Sequence, residues 1–128
     1  YFKMSVLTAS KGKLLLMLYD AAVRDSRRAF EAIQSGDIPT KNDCIQRVMN
    51  ILIELASTLN HNIDPKFSGD LLKHYLYLQT RLYEGNSRMD PAPVQEVAEK
   101  LDELRSAWRE IIEKHPQKAG TETKPANT

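Results

Sequence analysis

Residues 14–23 read Leu-Leu-Leu-Met-Leu-Tyr-Asp-Ala-Ala-Val, and no other stretch constrains the fold of this chain as strongly. All six residues from Leu14 to Tyr19 are apolar or aromatic, whereas a soluble amphipathic helix buries a stripe only roughly 100° wide. The segment is apolar around its whole circumference, so a second face needs a cover. Another part of the chain, a second copy, or a different protein could supply it.

With 128 residues, 41% hydrophobic and 27% charged, the chain suits one domain around one core, placed here at residues 1–114, with 115–128 as a tail. The longest apolar run is far short of the ~18–20 residues needed to cross a bilayer, and no secretory pattern precedes it. A cytoplasmic protein without direct membrane insertion is expected. The formal charge of +1 lacks the clustered basic excess of an electrostatic nucleic-acid binder. The charge is unevenly spread, with residues 1–35 mostly basic and residues 90–113 mostly acidic, a pattern that predicts neighbouring helices. Cys44 is the single cysteine, which rules out an internal disulfide; its apolar surroundings predict a buried, inert thiol.

Four segments carry helical periodicity. The first follows a possible cap at Thr8 or Ser10 and runs to Ser35-Gly36-Asp37, where Gly36 suits a left-handed terminus. Its Leu15, Leu18, Ala22, Ala29 and Ile33 define one face, and Leu16, Tyr19, Val23 and Phe30 a second. The next, from about Thr40 to Leu59, places Ile45, Val48, Leu52, Leu55 and Leu59 in an a/d-like series. A turn at Asn60–Pro65 leads to a third helix from about Ser68 to Gly85-Asn86, with Leu71, Leu72, Tyr75, Leu78 and Leu82 on its buried side. Asp90-Pro91 starts the fourth, where Val94, Val97, Leu101, Leu104, Trp108 and Ile111 keep heptad-like spacing. From about His115 the chain is polar and predicts a disordered tail. Short connections between such segments predict an all-α, antiparallel four-helix bundle. The opening residues, with Tyr1, Phe2, Met4, Val6 and Leu7, are apolar enough to pack on it as a cap.

Chemistry-bearing motifs are sparse. A di-iron bundle needs Glu-x-x-His pairs, and none is present; His61, His74 and His115 lack the spacing of a metal site, so no metal or cofactor is expected. Ser10-Lys11-Gly12-Lys13 only superficially resembles a phosphate-binding loop. His74, on the third helix, makes a histidine phosphotransfer bundle the enzymatic alternative, although no neighbouring base accompanies it in sequence. The stronger signal is apolar excess: Met49, Ile51 and Ile53, together with Leu72, Leu76, Tyr77 and Tyr83, exceed what one four-helix core absorbs. Such an excess suits a groove for a partner's amphipathic helix, or self-association.

Tyr1, Ser5-Val6-Leu7-Thr8-Ala9-Ser10 and Leu16-Met17-Leu18-Tyr19-Asp20 resemble the opening signature of the flagellar secretion chaperones, the FliS family. Gly36-Asp37-Ile38, Ile53-Glu54-Leu55, Tyr75 and Tyr77 with Arg81-Leu82, and Leu104-Arg105-Ser106-Ala107-Trp108-Arg109-Glu110-Ile111 continue the resemblance to about residue 112. Asp25 and Ser26 stand where the family favours apolar residues. The resemblance implies a non-enzymatic bundle in the bacterial cytosol that holds the C-terminal helical segment of flagellin. It would prevent premature polymerisation and deliver flagellin to the flagellar export apparatus, acting as a monomer or weak homodimer. The residues expected to meet the partner are Leu16, Tyr19, Val23, Met49, Ile53, Tyr75, Leu78 and Leu82, with Tyr1 and Val6 in a displaceable cap.

Overall fold

The computed structural model describes residues 11–114, which form four α-helices and no strand. They are α1 (Lys11–Ser35), α2 (Ile38–Ser57), α3 (Pro65–Arg88) and α4 (Pro91–Lys114). The expected cap at residues 1–9 and the tail at 115–128 lie outside the described residues.

Each helix ends where the local chemistry stops it. Gly36 takes φ +75° after α1, letting Asp37 N–H donate to the Ala32 carbonyl and Gly36 N–H to that of Ile33. Asp37 then caps the next helix, its carboxylate accepting from Thr40 N–H at 3.2 Å. That cap starts α2 at Ile38, two residues before the expected Thr40. The third helix also begins early, at Pro65 instead of Ser68, because Asp64 Oδ1 accepts from Phe67 N–H at 3.1 Å and proline is favoured in a first turn. Met89 closes α3 in the left-handed region, and Asp90 Oδ1 accepts from Ala92 N–H at the start of α4.

These short connections make the bundle run up, down, up and down. Each helix lies against its sequence neighbours, and α4 closes the ring against α1. Arg47 bridges to Asp25 between α2 and α1; Arg105 and Arg109 bridge to Asp20, and Arg27 to Asp102, between α4 and α1. The basic first helix and acidic fourth helix are therefore neighbours, as the charge distribution predicts, although the pairs run in both directions. The core holds Leu52, Leu55, Leu78, Leu82, Val94, Val97 and Leu101, together with Cys44, all essentially inaccessible. Each such leucine stabilises the fold by about 1.5–3 kcal/mol relative to an exposed one.

The seam between α3 and α4 depends on a missing side chain. A Cβ on Gly85 would stand 2.6 Å from Val94 Cγ2 and 3.1 Å from the Asp90 carbonyl oxygen, so only glycine admits this approach. By contrast, a Cβ on Gly69 meets nothing within 4 Å. Gly85→Ala should therefore destabilise the protein by about 1–3 kcal/mol through overpacking, whereas Gly69→Ala should stabilise it by up to about 1 kcal/mol through helix propensity. Urea unfolding of the two variants, followed by circular dichroism, checks both signs.

Candidate functional site

Helical phase decides which apolar residues turn inward. On α1, Tyr19, Ala22, Val23, Ser26, Ala29 and Ile33 share the buried face, and the small residues among them leave room for aromatic rings at its centre. Tyr19 reaches across that space to α3, where its hydroxyl meets the Tyr75 hydroxyl at 2.6 Å. Either hydroxyl can donate. Trp108, on α4, packs half-buried against the same core, and Phe67 packs edge-on against the Trp108 ring, centroids 6.2 Å apart. Burial pushes the Tyr19 phenol up, opposed by its neighbours Tyr75 and Trp108; burial and the Tyr19 neighbour push Tyr75 up as well.

This geometry corrects the expected contact surface. Tyr19, Val23, Tyr75, Leu78 and Leu82 are fully buried in the core and cannot meet a partner while the bundle is intact. The proposed division of α1 also changes, since Tyr19 and Val23 join Ala22 inside while Leu15, Leu16 and Leu18 are half-buried. Leu16 lies one turn from both Gly12, which abuts Ile112, and Asp20, which pairs with Arg105 and Arg109. It therefore belongs to the α1–α4 seam. Met49 is half-buried and Ile53 exposed, and both lie on the side of α2 away from Arg47, hence toward α3. The displaceable cap residues Tyr1 and Val6 are outside the described residues.

What gathers around Met49 and Ile53 comes from α3. Tyr77 and Arg81 face α4, where Tyr77 donates to Glu96 at 2.6 Å and Arg81 at 2.7 Å, so the opposite side, carrying Leu72, Leu76 and Tyr83, faces α2. Ile53 is 56% exposed, Leu76 50% and Tyr83 66%, with half-buried Met49, Ala56 and Leu72 completing the strip. Leu72, Leu76 and Tyr83 stand out in the sequence as part of the apolar excess; their phase relative to the α4-facing residues is what assigns them to this face. Ile63, Phe67 and Ile111 expose a second apolar area at the end of the bundle where α1 begins.

The α3–α4 side has a different character. A cleft of about 610 Å³ there is lined by His74, Tyr77, Leu78, Glu96, Lys100, Glu103 and Leu104. The Tyr77 hydroxyl and the Arg81 guanidinium hold the Glu96 carboxyl below the usual carboxylate range. His74 is exposed, lies in this cleft with Glu96, Lys100 and Glu103, and makes no hydrogen bond or ion pair among the described residues, which adds no support to the phosphotransfer alternative. No group of three His, Cys, Asp or Glu residues among those described is placed to hold a metal, and no helix is long and apolar enough to cross a membrane.

A bundle with an apolar seam exposed among its described residues fits a protein that binds other chains. The model of the FliS family, described as flagellar protein FliS, matches residues 1–115. The chain belongs to the FliS family. It is similar to the flagellar secretion chaperone FliS of Bacillus subtilis, 35% identical over 113 residues covering 88% of this chain and 84% of that protein. The flagellar secretion chaperone FliS of Salmonella typhimurium is 29% identical over 111 residues, covering 86% of this chain and 82% of that one. That of Campylobacter jejuni is 34% identical over 107 residues, covering 80% of each. Within this FliS-family bundle the tyrosine pair is part of the core, and the α2–α3 strip is an exposed apolar surface.

The buried hydroxyls make two measurable statements. Tyr19→Phe or Tyr75→Phe alone should cost about 1–3 kcal/mol, and the double variant less than the sum, because each single change strands one buried hydroxyl. Both phenols titrate higher in the folded protein than in the unfolded chain, where tyrosine ionises near pH ~10. Their contribution to stability is thus complete below about pH 10 and is lost as pH rises above it. Thermal melts at increasing alkaline pH should show this extra loss in the parent and not in the double variant.

Proposed function

We propose that this protein is a flagellin export chaperone of the bacterial cytosol whose α2–α3 strip receives the C-terminal helical segment of flagellin. The observation that carries the proposal is the row Ile53, Leu76 and Tyr83, left exposed beside half-buried Met49 and Leu72. An amphipathic helix presents apolar anchors at i, i+3, i+4 and i+7, which match a groove between two antiparallel helices. Family membership supports the role of a flagellar secretion chaperone. Covering flagellin's own association helix keeps it from polymerising early, and release at the export apparatus frees it for secretion. The interaction is non-enzymatic, and the active species is a monomer or a weak homodimer that leaves the strip accessible.

Ordering a flexible client segment is costly, so the strip must contribute several well-buried anchors. Truncating one such anchor typically weakens binding by about 1–2 kcal/mol or more, which is tenfold or greater in Kd. Ile53→Ser and Leu76→Ser should each raise the Kd for the cognate flagellin C-terminal segment by about tenfold, and together abolish measurable binding. Because both side chains are exposed, helicity and melting temperature should stay close to those of the parent. Isothermal titration calorimetry paired with circular dichroism checks the outcome; undiminished binding by the folded double variant would remove the strip from the site.

A further inference from the structure

Three of the four seams of the bundle are crossed by ion pairs: Arg47 with Asp25, Arg105 with Asp20, and Arg81 with Glu96. Among the described residues the α2–α3 seam has none, and Ser68 Oγ on α3 donates to the Asn60 carbonyl in the loop between the two helices, not to α2. The same helical phase that places Ile53 and Leu76 on this face borders them with Asn42, Gln46, Gln79 and Thr80. Lys73 is the one charged residue bordering that row. Gln46 donates one hydrogen bond to Asn50 at 2.9 Å, and each carboxamide has further donors and acceptors for a docked helix.

We propose that this face selects its client by excluding positive charge: it accepts a helix whose residues beside the apolar anchors carry amide or hydroxyl groups, and rejects one with lysine or arginine there. The inference rests on the chaperone function proposed above and specifies the chemistry of the client. A cation pressed against Ile53 and Leu76 loses hydration and meets only the like charge of Lys73, whereas a carboxamide exchanges water for Gln46 or Gln79. Discrimination comes from the unpaired charge more than from added attraction. Association with such a face is also insensitive to ionic strength, since screening acts on charges that the interface lacks.

The test uses the full chain and the C-terminal helical segment of flagellin from the same bacterium, with Kd measured by calorimetry. Between about 50 mM and about 500 mM NaCl, a span over which the Debye length shrinks severalfold, Kd should change less than about threefold. Replacing residues beside the segment's apolar anchors with Lys should weaken binding about tenfold or more, and Gln79→Glu in the chaperone should recover most of that loss for a Lys placed opposite it. A tenfold weakening with salt, or charged segments bound as tightly as the parent, would overturn the inference while leaving the chaperone function standing. Failure of the unsubstituted segment to bind at any salt concentration would overturn both.

Discussion

Tyr19 and Tyr75 meet hydroxyl to hydroxyl at 2.6 Å across the diagonal of the bundle, joining the two helices that are not sequence neighbours on that diagonal. Two phenol oxygens in an apolar interior are tolerated only as a pair, because each would otherwise lose water without replacement. This makes the contact selective about geometry. A slip of α1 against α3 by one turn, about 5.4 Å, would strand both oxygens and cost more than a purely hydrophobic mismatch. The small residues around Tyr19 on α1, Ala22, Ser26 and Ala29, are the complement of that pair, since they leave the central volume that the rings fill.

With the core set by that diagonal, the outer seams divide into two kinds. Those of α1 with α2 and α4, and of α3 with α4, join charged side chains whose individual contributions are small, about 0–1 kcal/mol for exposed pairs. Their effect is on surface character more than on stability, since a seam rimmed by paired charges presents water-loving groups to any passing helix. Asp25 is the exception in burial. It is almost wholly inaccessible and is held by Arg47 at 3.3 Å, with Arg28 at 4.0 Å, so its charge is compensated. Among the described residues the α2–α3 seam has no ion pair and Lys73 alone charges its rim, and there the apolar side chains remain exposed.

The bundle was legible because its four segments carry long 3.6-residue periodicity and carry strong boundary signals at Gly36 and Asp90-Pro91, whereas the caps at Asp37 and Asp64 set helix starts ahead of the expected Thr40 and Ser68. The contact surface was only partly legible. Apolar excess at Ile53, Leu72, Leu76 and Tyr83 is visible in the sequence, but periodicity alone does not say which of two adjacent apolar stripes faces inward. On α1 that choice follows from Tyr19 finding Tyr75, a partner 56 residues away, which local pattern cannot register. Hydropathy also misplaces Asp25, Ser26 and Lys41, all buried. Asp25 lies midway between Ala22 and Ala29 on an inward turn, and that spacing was the available signal; its rescue by Arg47 was not.

The position of α3 explains why the uncovered surface lies where it does. The α1 helix is lined by Ala22, Ala29 and Ala32 and lies closely against both neighbours, whereas α3 presents Tyr75, Leu78 and Leu82 inward and contacts its neighbours less extensively. Bulky inward residues hold α3 away from α2, so Leu76 and Tyr83 cannot also be covered by it. A fifth helix laid along that seam would contact α2 and α3 at once and shield the row without disturbing the tyrosine pair. With no ion pair across this seam among the described residues, such a helix settles without dismantling one. Under the proposed function, client binding extends the packing of the bundle outward, and the diagonal contact keeps the receiving surface in register before the client arrives.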